Sequence, residues 1–453
     1  MAVLINTREI IVDMLLELEK TDAYVNLLLA DTLERYDYPD ARDKAFIKRV
    51  TEGTVERRIQ IDYILNGIST IPVRKMKPFI RALLRMSVYQ ILFMAAVPDA
   101  AVCNEAVKIV KKRKFTSLQG YVNGVLRTVS RQKGELSYPD KDKEPLAYLS
   151  VAYSMPEWLI EHFLHSYDMV TVEKMLAAFL QSAPITLRLE ERLGEEERNA
   201  LLEEWKKNVA KITKHPYLPY AVQIEKVEGL RNLYGYDKGL FSVQDISSML
   251  VVEAAGIKEG QTIVDLCASP GGKSLHAASK LAGTGRVLSY DLTEKKVAKL
   301  EENRIRMGKA NVITAVNDAV IYREDLYQAA DVVIADVPCS GLGVIGKKQD
   351  IKYHVSAQSL KEITKLQKDI LRNAASYVKD GGVLMYSTCT INPEENEKMA
   401  EWFCEEFPFK KESMSQYLPE ELRKEEGGRG MLQLLPGVHK SDGFFLAKLR
   451  KEC

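Results

Sequence analysis

The chain has 453 residues, 46% hydrophobic and 28% charged, and its 64 Lys and Arg against 63 Asp and Glu leave a net charge of +1. This is globular composition at a length suiting about three domains of ~150 residues, and no bulk charge demands a nucleic-acid partner. No apolar run approaches the ~20 residues of a membrane span, and the N-terminus lacks the basic and apolar regions of a signal peptide. The six scattered cysteines include no CxxC pair, which argues against a metal cluster or a disulfide framework; a cytoplasmic protein with reduced thiols is expected.

Residues 1–138 read as an all-helical domain. Apolar residues recur at helical spacing over Arg8–Leu18, Arg81–Met94 and Asn104–Val110, and Pro72, Pro78 and Pro98 punctuate the helices. Thr51 to Gly134 holds 15 Lys and Arg against 5 Asp and Glu, centred on Lys111-Lys112-Arg113-Lys114. The run reads either as a solvated helix end or, because the excess is confined to one domain, as a nucleic-acid footprint. Gly134–Pro145 is a polar linker. Residues 146–235 form a small mixed α/β domain: a helical stretch from Pro156 to about Gln181, a strand at Thr186–Leu189, a charged helix over Glu195–Thr213 and a strand at Ala221–Ile224. In residues 236–453 strands and helices alternate at βαβ spacing, predicting a Rossmann-like α/β domain with a parallel sheet.

Three strand ends in that last domain carry chemistry. Ile263–Leu266 runs into Cys267-Ala268-Ser269-Pro270-Gly271-Gly272-Lys273. The two glycines permit close backbone approach, and the helix behind them offers free amides at its positive end. The loop is not GxGxxG, so a carboxylate ligand such as S-adenosylmethionine suits it as well as a phosphate. Asp291 ends the next strand, 19 residues past Gly272, where an acid meets ribose hydroxyls in dinucleotide folds. Asp318 follows Val312–Val316 in the position of a contact near an adenine. Each aspartate alone is more often a cap or turn residue; three at strand ends, Asp291, Asp318 and Asp336, favour a ligand site.

The remaining two strand ends carry thiols: Val332–Ala335 leads to Asp336-Val337-Pro338-Cys339-Ser340, and Val383–Tyr386 to Ser387-Thr388-Cys389-Thr390. A lone strand-end cysteine is usually a small buried hydrophobe, but two beside a cofactor loop suit covalent catalysis at a pyrimidine. A thiolate added at C6 activates C5 toward an electrophilic methyl group. Cys389 or Cys339 can be that thiolate, Asp336 can grip the base edge, and Lys273 is a candidate to stabilise the thiolate.

These motifs, with Asn392-Pro393-Glu394-Glu395-Asn396 and Asp442-Gly443-Phe444-Phe445, resemble the NOP/Sun family of RNA 5-methylcytosine methyltransferases. Leu84–Leu92, Val97-Pro98 with Asn104–Val107, and Tyr121–Arg127 resemble the NusB antitermination factor. The resemblance implies a NusB-like RNA-binding domain, a small α/β domain and an S-adenosylmethionine-dependent catalytic domain acting on small-subunit (16S) ribosomal RNA before full assembly, as a monomer without metal. It assigns Cys389 as nucleophile, Cys339 to product release, and Cys267 to Lys273, Asp291, Asp318 and Asp336 to the cofactor, with Asp336 also against the base. Arg188-Leu189-Glu190 departs from the family's Arg-x-Asn. Transfer RNA or DNA as substrate, an amino-group methyltransferase, and a non-catalytic RNA-binding factor are the alternatives.

Overall fold

The computed structural model describes residues 6–21, 23–35, 41–227 and 229–453. It divides into two compact units, Met1–Gln181 with Ile345–His354, and Ser182–Val344 with Val355–Cys453.

The first unit is helical. Its helices include Thr7–Thr21, Arg58–Ile68, Pro78–Phe93, Asp99–Lys112 and Gln119–Gln132. The prolines act at helix starts: Pro78 occupies the first turn, and Pro98 immediately precedes Asp99, positions that need no backbone donor. Pro78–Phe93 buries Phe79, Leu84, Val88 and Tyr89 on different faces, as a helix surrounded by others must. The linker leads into three further helices, Pro145–Tyr153, Glu157–Leu164 and Met169–Phe179, which belong to this unit rather than to the strands that follow. The compact units therefore cut the chain at 181, between the expected boundaries near 146 and 235.

The second unit contains two sheets. Strands β1 (Ile185–Leu189), β2 (Val209–Lys214), β3 (Ala221–Val227) and β4 (Phe241–Val243) form an antiparallel sheet in the order β2-β3-β1-β4. The predicted helix over Glu195–Thr213 stops at Trp205, and β2 takes its last residues. Val209, Ile212 and Thr213 suit a strand better than a helix, and pairing along β3 decides the matter. The larger sheet comprises β5 (Thr262–Asp265), β6 (Arg286–Asp291), β7 (Val312–Val316), β8 (Ala330–Asp336), β9 (Val378–Thr388), β10 (Phe409–Lys411), β11 (Met431–Leu434) and β12 (Phe444–Lys451). Its order is β10-β12-β9-β8-β5-β6-β7, with β11 on β12. β9, β8, β5, β6 and β7 are parallel, whereas β12 joins β9 antiparallel, so the sheet is mixed rather than wholly parallel. The chain runs outward through β5, β6 and β7, then returns to lay β8 against the other side of β5. The carboxyl ends of β5 and β8 thus flank a topological switch point, where open α/β sheets bind ligands.

Candidate active site

Register brings the two thiols together. Asp336 on β8 lies opposite Ser387 on β9; Cys339 stands three residues beyond the first and Cys389 two beyond the second. Their Sγ atoms are 3.2 Å apart, and both side chains are half-buried. The Cys389 contact and burial push the Cys339 thiol well above its ordinary value, and the negative charge of Glu395 adds to the effect. The two loops are joined further by Ser340 Oγ and Thr390 Oγ1 at 2.7 Å and by Gly343 N donating to Cys389 O at 3.1 Å.

Asp336 ends β8, three residues before Cys339. Ser387 Oγ donates to its Oδ1 at 2.8 Å and Lys273 Nζ to its Oδ2 at 2.6 Å. Lys273 is buried, donates also to Ser248 Oγ at 2.7 Å, and lies 5.3 Å from the Phe444 ring centroid. Its ammonium thus serves Asp336 and Ser248.

The glycine loop follows β5. Ala268 N donates to Tyr290 O at 2.8 Å and Ser269 N to Asp291 Oδ2 at 2.9 Å, so the turn is pinned to the end of β6. Gly271 has φ 109°, and a Cβ there would lie 2.7 Å from Leu300 Cδ1, so this turn requires glycine. The helix Gly272–Lys280 starts behind it with no side-chain cap, leaving first-turn amides for a ligand. Asp291 is 4% exposed and also receives Leu292 N at 2.8 Å and Lys296 Nζ at 2.9 Å. Asp318 is half-buried in the turn after β7, where its Oδ1 accepts Val320 N at 3.0 Å. Burial, with Asp265, Asp291 and Asp336 adding, pushes the Cys267 thiol up, which suits a structural thiol rather than a nucleophile. Behind the loop, burial raises the Asp265 carboxyl to about 7 although Ser274 Oγ donates to it at 2.6 Å.

Glu190, where the resemblance leads one to expect Asn, has a physical explanation. It is 1% exposed and pairs with the fully buried Arg188 at 3.1 Å and with Lys309 at 2.5 Å. A neutral amide would leave those two cations without their carboxylate. The basic run of the first unit is partly neutralised by its own helix Thr7–Thr21: Lys112 and Arg113 pair with Glu9 at 2.6 and 3.0 Å, and Arg113 with Asp13 at 2.6 Å, while Lys111 and Lys114 are exposed. Among the described residues no helix is long and apolar enough to cross a membrane. Ser248 and Gln367 carry no sequence signal, and Ser387 and Glu395 carry only their places in motifs.

Family models match three segments: the NusB family over residues 5–131, the RsmF/B-like ferredoxin-like domain over 155–229, and the 16S rRNA methyltransferase RsmB/F over 253–450. The chain is 34% identical to a probable ribosomal RNA small subunit methyltransferase B of Bacillus subtilis strain 168 over 99% of both chains. It is 30% identical to the ribosomal RNA small subunit methyltransferase B of Escherichia coli O6:K15:H31 over 91% of each. The crystal structure of PH0851 superposes with a TM-score of 0.77 at 26% identity, covering 99% of this chain and 100% of that one. NSun6 from Pyrococcus horikoshii shares the fold at 22% identity and a TM-score of 0.57, over 65% of this chain and 98% of its own. The architecture is thus a NusB domain, a ferredoxin-like domain and a methyltransferase domain with a mixed sheet.

Proposed function

The chain belongs to the ribosomal RNA small subunit methyltransferase B family, and from that premise we propose that it methylates C5 of a cytosine in 16S ribosomal RNA, with Cys389 as covalent nucleophile. The observation that carries this reading is the pair of thiols 3.2 Å apart beside the Lys273–Asp336 ion pair. A methyltransferase acting on an oxygen or an amino group needs neither thiol.

The donor set at the switch point suits S-adenosylmethionine. Asp291 stands where ribose hydroxyls are met, the uncapped Gly272–Lys280 helix start offers amides to a carboxylate, and Asp318 follows the next strand. S-adenosylmethionine, when bound there, supplies an electrophilic methyl group.

The target base must leave its stack for C5 and C6 to be reached. Cys389 Sγ, as thiolate, adds to C6 and pushes electron density to C5. Asp336, oriented by Ser387 and Lys273, accepts from the N4 amino group and holds that edge, and the Lys273 ammonium beside it offsets the negative charge that develops at N3. C5 then takes the methyl group as its bond to the sulfonium sulfur breaks, leaving the neutral thioether. A water held at the protonated Cys339 accepts the C5 proton; the electron pair so released re-forms the C5–C6 double bond as the C6–S bond breaks, and Cys389 returns as thiolate. Cys339 stays protonated through the addition step, which suits a group acting late. The helical unit contributes phosphate contacts that set register rather than read sequence.

Transfer of labelled methyl groups to unmodified 16S ribosomal RNA tests this. Label recovered as 5-methylcytosine in the wild type and absent in Cys389→Ala is the expected result. Label recovered on another base atom, or undiminished by Cys389→Ala, would overturn the proposal.

A further inference from the structure

Glu395 is fully buried in the short 3-10 turn Pro393–Glu395 that follows the Cys389 loop. A buried carboxylate is costly unless its oxygens are satisfied. Here four donors converge on it. Ser340 N and Gln367 Nε2 donate to Oε2 at 2.8 and 3.0 Å; Ser340 Oγ and Asn392 Nδ2 donate to Oε1 at 2.6 and 2.9 Å. None of the four is a cation, so the group is held as an acceptor and not as half of an ion pair.

The origins of those donors matter more than their number. Ser340 adjoins Cys339. Gln367, on the helix Ala357–Tyr377, also donates to Pro338 O at 2.9 Å, on the other side of Cys339. Asn392 lies three residues past Cys389, and the Glu395 carbonyl accepts the Tyr386 hydroxyl of β9 itself. Glu395 therefore ties both neighbours of Cys339, Ser340 directly and Pro338 through Gln367, to the loop that carries Cys389, and its backbone carbonyl adds a tie to β9. An amide of the same shape would turn its own NH2 toward two donors, so a carboxylate in particular is required.

We propose that Glu395 is a positioning residue whose buried carboxylate clamps the Cys339 loop onto the Cys389 loop, fixing the separation of the thiols and their division of roles. Its negative charge also disfavours ionisation of Cys339, after the larger effects of the Cys389 contact and burial. That leaves Cys339 as the proton-bearing thiol of the pair. The division of roles rests on the mechanism proposed above; the clamp does not.

The test is the pH profile of alkylation at each thiol in the full chain, without RNA. Iodoacetamide labelling is followed by peptide mass spectrometry in the wild type, Glu395→Gln and Ser340→Ala. In Glu395→Gln the Cys339 profile should move to lower pH, raising its rate near pH 8 about tenfold, the equivalent of one pKa unit. Ser340→Ala should shift it in the same direction by less, and decides the matter if Glu395→Gln does not fold. Unchanged midpoints, or a rate raised equally at every pH, would overturn the clamp. A parallel methylation assay on 16S ribosomal RNA should show Glu395→Gln accumulating a gel-shifted RNA adduct, with kcat lowered about tenfold and KM unchanged. A shifted profile without adduct would uphold the clamp and discard the assigned roles of the thiols.

Discussion

At the scale of single residues, the account depends on where charge is placed in a partly dry site. Asp265 is a direct probe of that environment, because burial raises its carboxyl to about 7 against an unfolded value near ~3.9. An acid with a raised folded pKa binds more protons folded than unfolded, so its contribution falls as pH rises. The stability difference between wild type and Asp265→Asn should decline from about pH 4 to about pH 7 and level off above. A flat difference across that window, read from denaturant midpoints in the cofactor-free protein, would contradict the buried assignment. The residues of this site were largely legible in the sequence, since Asp336, Cys339 and Cys389 each follow a run of apolar residues too uniform to be anything but a buried strand. Glu395 was visible but mute: nothing in a linear motif says that its carboxylate reaches back to Ser340, 55 positions away. Lys273, from its loop a candidate to stabilise a thiolate, has its ammonium on Asp336 and Ser248, partners that no linear motif names.

At the scale of elements, the loops after β8 and β9 are held by a third, the turn before β12. Gly443 N donates to Gly343 O at 2.9 Å, and a Cβ on Gly343 would meet Gly443 O at 2.0 Å. Gly343→Ala should therefore cost ~1–3 kcal/mol, as overpacking does, and lower methyl transfer with it. Gly67→Ala is the control: in the helix Arg58–Ile68 its Cβ would meet nothing within 4 Å, and it should be neutral or stabilising by up to ~1 kcal/mol. Equal thermal shifts in the two variants would show that the backbone approach at Gly343 has been misjudged. Strand and helix types were mostly readable from periodicity, with β2 the exception. Its six residues follow a strongly helical run, and only pairing along β3 makes them a strand. The antiparallel β12 was missed for a similar reason: Phe444–Lys451 reads as a strand, but its direction beside β9 is a tertiary fact.

At the scale of the whole molecule, the chain leaves the catalytic unit five residues after Cys339. Ile345–His354 belongs to the helical unit, and the chain returns at Val355. Within that unit Val25 N donates to Asp350 Oδ2 at 2.6 Å, and Lys352 Nζ donates to Glu56 O and Ser154 O at 2.8 and 2.7 Å. The partners lie some 200 to 300 positions distant, beyond any local pattern, so this excursion could not be read from sequence. Burial lowers the Lys352 ammonium to about 7 from an ordinary value of 10.5. Below pH 7 both states hold the proton; above it the unfolded state holds more, so stability should rise with pH from about 7 toward 10.5. Lys352→Met should remove that rise, and its persistence in the variant would assign the slope to another group.

The central claim, that Cys389 attacks and Cys339 releases, is tested most directly by Cys339→Ala with 16S ribosomal RNA and S-adenosylmethionine. The account predicts a denaturation-resistant protein–RNA adduct whose linked peptide contains Cys389, lost again in the double variant with Cys389→Ala. Normal turnover by Cys339→Ala with no adduct, or an adduct mapped to another residue, would contradict it.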